Sequence, residues 1–546
     1  MTDLSLSLII RNLYGVDIME EATEICKLRL FLKLVSQVER FEDIEPLPDI
    51  DFNIRAGNTL VGFASYDETK RAIEGKTVGK AFQNQMIFDD RLERIEQKAQ
   101  DIERAFEQFR ELQTKQDLDP AAMTAHKQQL QQMLGILRAE LDGYLASEYG
   151  IDRNSIPKRE EYDARFARWR QSHQPFHWWV EFYGIMKRGG FDVIIGNPPY
   201  VEWSKVATYN LLPSLYKTRS CGNLYTVVCE RSYGLLYEHG HFGMIVPISC
   251  VATDRMEALR SMWQAGSFET HVSLYSGDAH PSVLFQGVKF RLSIVLQFRK
   301  ASPSIYTTHF QRWLPQGREY LFSLMSYTRV EPHSHRLGLI PKVSSTTHSH
   351  ILGKLCAHDR NLRESVDDIA SYHVYCHRIV AHFVKAFDFV PFFHNQRDGE
   401  KKSEDYKIFS VNTDGKRDTL VALLNSNLFY SWFVTYSDVY HCGREIILDF
   451  PCDIAELTES LGGSLKDLKD ELMNDLRKHS VRRAVPYKAT GLVEYDEFYP
   501  RHSKLVIDEI DRMLAKHFGF TDEELDFIIN YDSKYRLGQT SGDEEE

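Results

Sequence analysis

Four consecutive residues, Asn197, Pro198, Pro199 and Tyr200, have the types and spacing best suited to chemistry in this chain. The Asn197 amide and the Pro198 carbonyl offer two oxygen acceptors that can hold an NH2 group, and the prolines fix the loop in advance. When that nitrogen is conjugated to a ring, this contact favours an sp3-like nitrogen whose lone pair can attack an electrophilic methyl group. Tyr200 supplies a ring face for stacking. The alternative is a purely structural loop, which explains the combination less well.

Two other strand ends carry candidate polar residues. Asp17 follows NLYGV, and its carboxylate could accept both hydroxyls of a ribose or could instead cap the next helix. Asn58 follows Gly57 after DFNIRA, and its amide could bind an adenine edge or simply hold the turn. Neither alternative is excluded by the residue alone, and for Asn58 the turn is favoured.

These residues need strands that bring them to one edge, because open α/β sheets bind ligands at the carboxyl ends of their strands. Residues 10–17 predict a short strand ending in Asp17, and the following EEATEICKLRLFLKLVSQV has helical spacing. Residues 43–63 contain a second strand-like run that ends at Gly57. The apolar run FDVIIG predicts a buried strand before Asn197.

The sequence after the Asn-Pro-Pro-Tyr loop continues the alternation. Residues 223–240 predict a helix that ends at Gly240 as its C-cap, and 241–249 predict a buried strand. Residues 283–298 contain two more strand-like runs. Alternating helices and buried parallel strands predict an α/β doubly wound sheet.

A segment of different composition, 88–147, is rich in Glu, Gln, Lys, Arg and Ala. Its apolar residues recur at helical spacing in two stripes separated by DLDP, in which Pro120 suits a first helical turn. We expect a helical hairpin inserted into or packed on the main domain; a long coiled coil is the alternative.

The composition restricts the class of protein. With 546 residues and 43% hydrophobic content, the chain can bury two or three cores. There is no apolar run that could span a bilayer and no secretory signal pattern, and the eight cysteines form no CxxC pair, so a reducing cytoplasm is expected. The net charge of −12 argues weakly against nucleic acid as a partner, although 152–188 is locally basic.

The motifs resemble those of a known family. Asn-Pro-Pro-Tyr after a hydrophobic strand, preceded by FHWW and GGFDVIIG, resembles motif IV of the N6-adenine DNA methyltransferases. NLYGVDIMEEATEICKLRLFLKL resembles their ribose-binding strand and helix, and PLPDIDFNIRAGNTLVG resembles the adenine-binding stretch. LLNSNLFYSWFVTYSD and YPRHSKLVIDEID resemble a C-terminal target-recognition region. The spacing is similar to that of type IIG (Eco57I-like) and BREX or DISARM enzymes.

The resemblance implies methyl transfer from S-adenosylmethionine to adenine N6 in duplex DNA, after the base leaves the stack. Asn197, Pro198, Pro199 and Tyr200 would be catalytic. Asp17, Ile18, Gly57 and Asn58 would bind the cofactor, and no metal would be needed. A second aromatic residue usually closes the adenine pocket; Phe285 and Phe290 are the candidates, and the sequence does not choose between them.

The implied fold is a class I (Rossmann-like) methyltransferase sheet with a helical-hairpin insertion and an α+β target-recognition domain. The predicted segments are a first methyltransferase part (1–87), the hairpin (88–150), the methyltransferase part with the Asn-Pro-Pro-Tyr motif (151–300), the target-recognition domain (301–455) and a C-terminal helical region with an acidic, disordered tail (456–546).

One family motif is missing. The glycine-rich cofactor loop should precede NLYGVD, but the eleven residues before Asn12 contain no glycine. We therefore expect an N-terminally incomplete sheet and a second polypeptide that carries the missing strand and loop. Possible roles are restriction-modification and phage defence. The competing hypothesis is a DNA-recognition module whose catalytic half has decayed. Methyltransferases that act on glutamine or RNA are disfavoured by the long C-terminal region, and no PD…ExK pattern supports a nuclease.

Overall fold

The structure is a computed structural model in which the residues described are 3–36, 40, 49–74, 83–113, 120–212, 215–266, 268–277, 284–285, 289–300, 302–313, 315–334, 336 and 338–537. The chain divides into two compact units, Met1–Met244 and Ile245–Glu546.

Parallel strand pairs carry the candidate residues of the first unit. The strands are β1 (Gly15–Asp17), β2 (Ile54–Ala56), β3 (Phe191–Gly196) and β4 (Leu236–Pro247). β1 pairs with β2 so that Asp17 lies opposite Ala56, and β3 pairs with β4 so that Gly196 lies opposite Met244. Parallel pairing places the segments after β1 and β2 at the same edge.

Helices cover most of the rest of this unit. Within the described residues they are α1 (Asp3–Asn12), α2 (Glu20–Val35), α3 (Tyr66–Glu74), α4 (Gln83–Gln113), α5 (Pro120–Glu148), α6 (Arg159–His173), α7 (Trp178–Glu181), α8 (Tyr183–Lys187) and α9 (Leu224–Leu235). The architecture is therefore mixed α/β.

The predicted strand over 10–17 is wrong in its first half. Residues up to Asn12 belong to α1, and only Gly15–Asp17 is extended. Ile9 and Ile10 are buried as neighbours on this helix, and the Leu13 N–H donates to the Ile9 carbonyl at 3.3 Å. An apolar pair is compatible with either a helix or a strand, so the pattern alone could not place the boundary.

The segment predicted as a helical hairpin forms α4 and α5, which pack on each other and on the rest of the unit. Ile95, Leu137 and Leu141 are fully buried in the same core as Trp179 and Tyr183. This arrangement follows from the apolar stripes of both helices, since each stripe needs a surface that excludes water. The hairpin is part of the main core of the unit.

The predicted helix over 223–240 ends too late. Helix α9 ends at Leu235, and the chain then runs extended from Leu236 as β4. Gly240 is not a C-cap: a Cβ atom there would lie 2.9 Å from the Phe191 carbonyl oxygen and 2.7 Å from Leu236 Cγ. Glycine is needed because β3 approaches closely, which is a tertiary requirement.

The prediction that FDVIIG is a buried strand is wrong for its side chains. The segment is strand β3, but Asp192, Val193 and Ile195 are exposed, the last two by 56% and 78%. A run of apolar β-branched residues predicts a strand that can be buried on both faces. The apolar residues alone do not predict whether neighbouring elements cover those faces.

The second unit combines three sheets among its described residues. Its strands are β5 (Phe268–Tyr275), β6 (Leu292–Arg299), β7 (Ser304–Gln311), β8 (Thr328–Arg329), β9 (Tyr372–His377), β10 (Ala386–Phe387), β11 (Phe393–Asn395), β12 (Gly399–Glu400), β13 (Tyr406–Val411), β14 (Val481–Tyr487) and β15 (Gly491–Glu497). β5 pairs antiparallel with β6 and parallel with β7. The orders β10–β9–β13 and β12–β11–β15–β14 form two further sheets. Of the two runs predicted within 283–298, only β6 is a strand in the described part.

The helices of the second unit are α10 (Ser249–Ala252), α11 (Glu257–Ala265), α12 (Thr346–Cys356), α13 (Asp414–Asn425), α14 (Asn427–Tyr436), α15 (Arg444–Leu448), α16 (Ile454–Lys478), α17 (Lys504–Phe518), α18 (Asp522–Ile529) and α19 (Ser533–Arg536). All ten residues of α14 are buried. The Asp511 carboxylate of α17 accepts the backbone N–H groups of Asn427 and Leu428 at the start of α14. The two segments singled out in the sequence, LLNSNLFYSWFVTYSD and YPRHSKLVIDEID, therefore pack in one core.

The C-terminal region predicted as helical also contains an antiparallel hairpin. Strand β14 pairs with β15 from Val481↔Glu497 to Tyr487↔Gly491. Gly491 has φ +73°, a conformation that favours glycine after the turn. The alternation of short apolar and charged residues in VRRAVPYKATGLVEYDE fits a strand pair, but the long charged helix before it dominated the sequence pattern. The acidic tail lies outside the described residues.

Candidate functional site

Asp17, Ile18 and Gly57 lie together where β1 and β2 end. The Gly57 N–H donates to the Asp17 carbonyl at 2.8 Å. The Asp17 side chain is exposed, and its Oδ1 accepts the Met19 N–H at 2.8 Å. Met19 is itself the residue before α2 and has no side-chain cap, so Asp17 does not cap this helix. Its second carboxylate oxygen makes no hydrogen bond within the described residues.

Asn58 is 2% exposed and does hold the turn. Its Oδ1 accepts the Leu60 N–H at 3.1 Å, and its own N–H donates to the Gln174 carbonyl at 2.8 Å. Its Nδ2 is buried and has no well-formed hydrogen bond in the described part of the chain. Burial raises the pKa of the nearby Tyr209 phenol, and the Asn58 side chain partly offsets that rise. The buried Nδ2 thus lies close to the Tyr209 phenol, although the contact does not meet hydrogen-bond geometry.

The loop over 57–63 is clamped by the segment that contains FHWW. The Phe176 N–H donates to the Val61 carbonyl at 2.7 Å, and the Trp178 Nε1–H donates to the Thr59 carbonyl at 3.2 Å. Gly62 has φ +140°, and a Cβ atom there would lie 2.0 Å from the Phe176 carbonyl oxygen. The close fit explains why this position is glycine.

Two buried side chains hold the same loop from another side. The Tyr216 hydroxyl donates to the Leu60 carbonyl at 2.8 Å, and Arg231 Nη2 donates to the Gly62 carbonyl at 3.3 Å. Arg231 also donates to Tyr216 and pairs with Glu68. Burial raises the pKa of the Tyr216 phenol well above its usual value, so Tyr216 stays protonated and keeps its hydrogen for Leu60.

The loop after β3 presents Asn197, Pro199 and Tyr200 at the surface, whereas Pro198 is buried. Asn197 and Pro199 are exposed and Tyr200 is half-buried. The Tyr200 hydroxyl donates to Asn197 Oδ1 at 2.6 Å. The side-chain acceptor predicted for an amine thus already has an internal donor on one of its two lone pairs.

A cluster of aromatic rings joins the starts of β1 and β3. The Tyr14 ring lies 5.3 Å from Phe182 and 6.0 Å from Phe191, centroid to centroid. Trp178, which holds the 57–63 loop, lies 5.8 Å from Phe191. The strands that lead to Asp17 and to Asn197 therefore start from one packed cluster within the first unit.

The two candidates for a closing aromatic residue stay open. Phe285 is 37% exposed and Phe290 is 54% exposed, and both belong to the second unit. Among the described residues, no group of three His, Cys, Asp or Glu side chains is arranged to hold a metal ion. In the same part of the chain, every helix is too short or too polar to cross a membrane.

Sequence reasoning did not assign a role to His177, Asp142, Glu181 or Tyr209, which surround the 57–63 loop or its clamp. Of these residues, His177 lies in FHWW, one of the segments that resemble the N6-adenine DNA methyltransferases. The partners of His177 and Glu181 come from distant segments, and no spacing rule predicts such contacts.

Comparison with known proteins agrees with the motifs. Residues 11–277 match the family model described as Eco57I restriction-modification methylase. A protein of Methanocaldococcus jannaschii, named for a type II restriction enzyme and methyltransferase, is 28% identical over 283 residues, covering 47% of this chain and 23% of the relative. The match thus spans about a quarter of that relative's length. These two matches confirm the predicted resemblance to Eco57I-like type IIG methyltransferases.

Solved structures give only weak overall likeness. The type IIG restriction endonuclease BpuSI is 11% identical with a TM-score of 0.21, covering 60% of this chain and 44% of that one. The M protein of the type I restriction enzyme EcoKI is 10% identical with a TM-score of 0.19, covering 62% and 66%. The DrdV–DNA complex is 16% identical with a TM-score of 0.23, covering 28% and 18%. TM-scores this low add nothing to the argument about the fold.

Proposed function

We propose that this chain carries the catalytic loop of a site-specific adenine DNA methyltransferase of the restriction-modification or phage-defence kind. The observation that carries the proposal is the Asn-Pro-Pro-Tyr loop directly after parallel strand β3, in the same compact unit as Asp17 and Asn58 after β1 and β2. The family match over 11–277 and the DNA methyltransferase motifs support the substrate class.

The residues of the loop would bind the adenine base. Asn197 Oδ1 and the Pro198 carbonyl would accept the two hydrogens of the adenine amino group, once the Tyr200 hydroxyl has turned away from Asn197. The nitrogen lone pair, no longer delocalised into the ring, would form the new N–C bond as the bond between the methyl group and its sulfur breaks, and one amino hydrogen would be released as a proton to solvent. The Tyr200 ring would stack on the extruded adenine, which must leave the duplex to reach the surface loop.

The residues at the ends of β1 and β2 fit an adenosine group. The exposed Asp17 carboxylate keeps one oxygen for ribose hydroxyls, and the turn that Asn58 holds would shape the adenine end of the site. Ile18, 38% exposed, and the Gly57 backbone would contact the adenosine from the strand ends. S-adenosylmethionine would supply the electrophilic methyl group when bound here.

A second polypeptide is part of the proposal. Strand β3 exposes Val193 and Ile195, and α2 exposes Ile25, Leu28 and Leu32, which lie at helical spacing on one face. Exposed apolar patches of this kind are typical of surfaces that another segment covers. We expect the partner to cover these exposed apolar residues.

The test is transfer of labelled methyl groups from S-adenosylmethionine to unmethylated phage DNA, with N6-methyladenine identified after digestion. The chain is assayed alone and with the polypeptide encoded next to it, each with an Asn197→Ala variant as control. The expected result is N6-methyladenine that depends on Asn197 and is stronger with the partner. Full activity of the chain alone would remove the partner from the proposal.

Calorimetric titration with S-adenosylmethionine separates the competing hypothesis. A decayed DNA-recognition module binds duplex DNA but gives no heat with the cofactor. No methylation and no cofactor binding under either condition would overturn the proposed activity.

A further inference from the structure

A buried histidine connects the α4–α5 hairpin to the 57–63 loop. His177 is 1% exposed, and its Nδ1 accepts the Phe63 N–H at 3.2 Å. Because a backbone N–H needs a ring nitrogen with a lone pair, Nδ1 is unprotonated and Nε2 carries the hydrogen. That hydrogen is donated to Asp142 Oδ1 at 3.0 Å. The carboxylate thus fixes both the tautomer and the orientation of the ring.

Asp142 belongs to α5 and is itself fixed. It is 2% exposed, and its Oδ2 forms an ion pair with Arg170, with 2.9 Å between Oδ2 and Arg170 Nε. One turn earlier on α5, Arg138 Nη2 donates to Glu181 Oε2 at 2.6 Å. Glu181 also pairs with Arg55, the residue of β2 that precedes Ala56. Asp142 and Arg138 of α5 therefore contact His177 in FHWW and Glu181 just after it.

The segment held by these contacts is in turn hydrogen-bonded to the 57–63 loop. The FHWW segment donates Phe176 N–H to Val61 and Trp179 N–H to Phe63, at 2.7 and 3.2 Å. Residues 174–181 thus contact the loop through both backbone and side-chain groups, while the side chains of Tyr216 and Arg231 hold it from another side. A buried polar group that loses its partner costs free energy, so this series of contacts favours one geometry.

We propose that Asp142 and His177 are positioning residues that set the geometry of the 57–63 loop, and that the hairpin is in this way a component of the cofactor site. This inference rests on the proposed function for its consequence in cofactor binding. Its structural part, the order of the loop, does not depend on which ligand binds there.

The experiment compares Asp142→Ala with Asp142→Asn and Glu140→Ala. The alanine variant leaves His177 Nε2–H without an acceptor, whereas asparagine keeps an oxygen for it and replaces the carboxylate oxygen that faces Arg170 by an uncharged NH2 group. Glu140 is the matched control, because it lies on the same helix in a partly exposed ion pair with Lys98. Hydrogen exchange is followed by mass spectrometry on peptides that cover 57–64, with peptides from α9 and β3 as internal references.

Asp142→Ala is expected to speed amide exchange in 57–64 by about 10-fold or more and to weaken S-adenosylmethionine binding by roughly 10- to 100-fold, the loss typical of an unpaired buried polar group. Asp142→Asn should stay within a few-fold of the wild type, and Glu140→Ala should change neither quantity. DNA binding should be unaffected in all three.

Two results would overturn the inference. Faster exchange spread over α9 and β3 would show a general loss of stability, and equal effects of the asparagine and alanine variants would assign the role to the Arg170 ion pair. If the wild type binds no S-adenosylmethionine either alone or with the partner, the proposed function fails, while the exchange of 57–64 still decides whether the hairpin positions the loop.

Discussion

The Tyr200 hydroxyl is expected to compete with the substrate for Asn197. It donates to Asn197 Oδ1 at 2.6 Å, which is the oxygen proposed to accept the adenine amino group. Tyr200→Phe removes this competitor and keeps the ring for stacking. Tyr200→Ala removes both. The pair of variants therefore separates the two contributions of one side chain.

The magnitudes follow from the exposure of the two residues. A hydrogen bond at a partly exposed site is worth about 0.5–1.5 kcal/mol net, so freeing Asn197 should favour the bound base by roughly 2- to 10-fold. Loss of the stacking ring costs about 1–3 kcal/mol, which corresponds to roughly 5- to 150-fold. Tyr200→Phe should therefore raise kcat/KM for DNA slightly, and Tyr200→Ala should lower it strongly.

The assay is the initial rate of labelled methyl transfer to unmethylated phage DNA at several DNA concentrations, in the presence of any partner that the activity requires. Asn197→Ala serves as the inactive reference. If Tyr200→Phe loses as much activity as Tyr200→Ala, the hydroxyl has a positive role in the reaction and the competition argument is refuted.

Three further predictions concern the cofactor end, the core and the pH dependence. Asp17→Ala should weaken S-adenosylmethionine binding by about 10-fold or more, whereas Asp17→Asn should keep the bond to the Met19 N–H and leave thermal stability unchanged. Leu137→Ala, at a fully buried position of α5, should lower the free energy of unfolding by about 2–5 kcal/mol, whereas Ile136→Ala, 56% exposed, should change it little. Burial lowers the pKa of His348 to about 3, below its usual value of 6.5, so the folded state binds fewer protons and stability should fall as the pH falls from about 6.5 to 3.

Each of these has a contradicting outcome. Unchanged cofactor affinity in Asp17→Ala would remove Asp17 from the site. Equal losses in Leu137→Ala and Ile136→Ala, measured by urea unfolding, would mean that the hairpin does not pack as described. For the pH effect, the free energy of unfolding is compared between wild type and His348→Gln from pH 7 to 4, and identical slopes would exclude His348 as a source.

Local sequence was sufficient to predict which candidate residues lie at strand ends. Asp17 is the last residue of β1, and Gly57 and Asn197 directly follow β2 and β3, so each lies within a few residues of the strand that positions it. The hairpin helices were also predictable, because a stripe of apolar residues over many turns has few other interpretations. The role of the catalytic loop stays a prediction that the assays above test.

Boundaries and burial were less predictable. Helix α9 ends at Leu235 because the chain is drawn into a pair with β3, and Gly240 is required by the approach of Phe191. The exposure of Val193 and Ile195 also depends on tertiary structure, because a strand is buried only where other elements pack against it. A run of apolar residues predicts a strand that can be buried, but it does not predict that the strand is buried.

The sequence by itself determined the motifs from which the chemistry is predicted, Asn-Pro-Pro-Tyr and the residues at the ends of β1 and β2. Only the tertiary structure decided what holds them, because the contacts join residues far apart in the chain: His177 with Asp142, and Glu181 with Arg55. Strand ends and turns are set by neighbours in sequence, whereas the orientation of a buried polar group depends on partners that folding brings together.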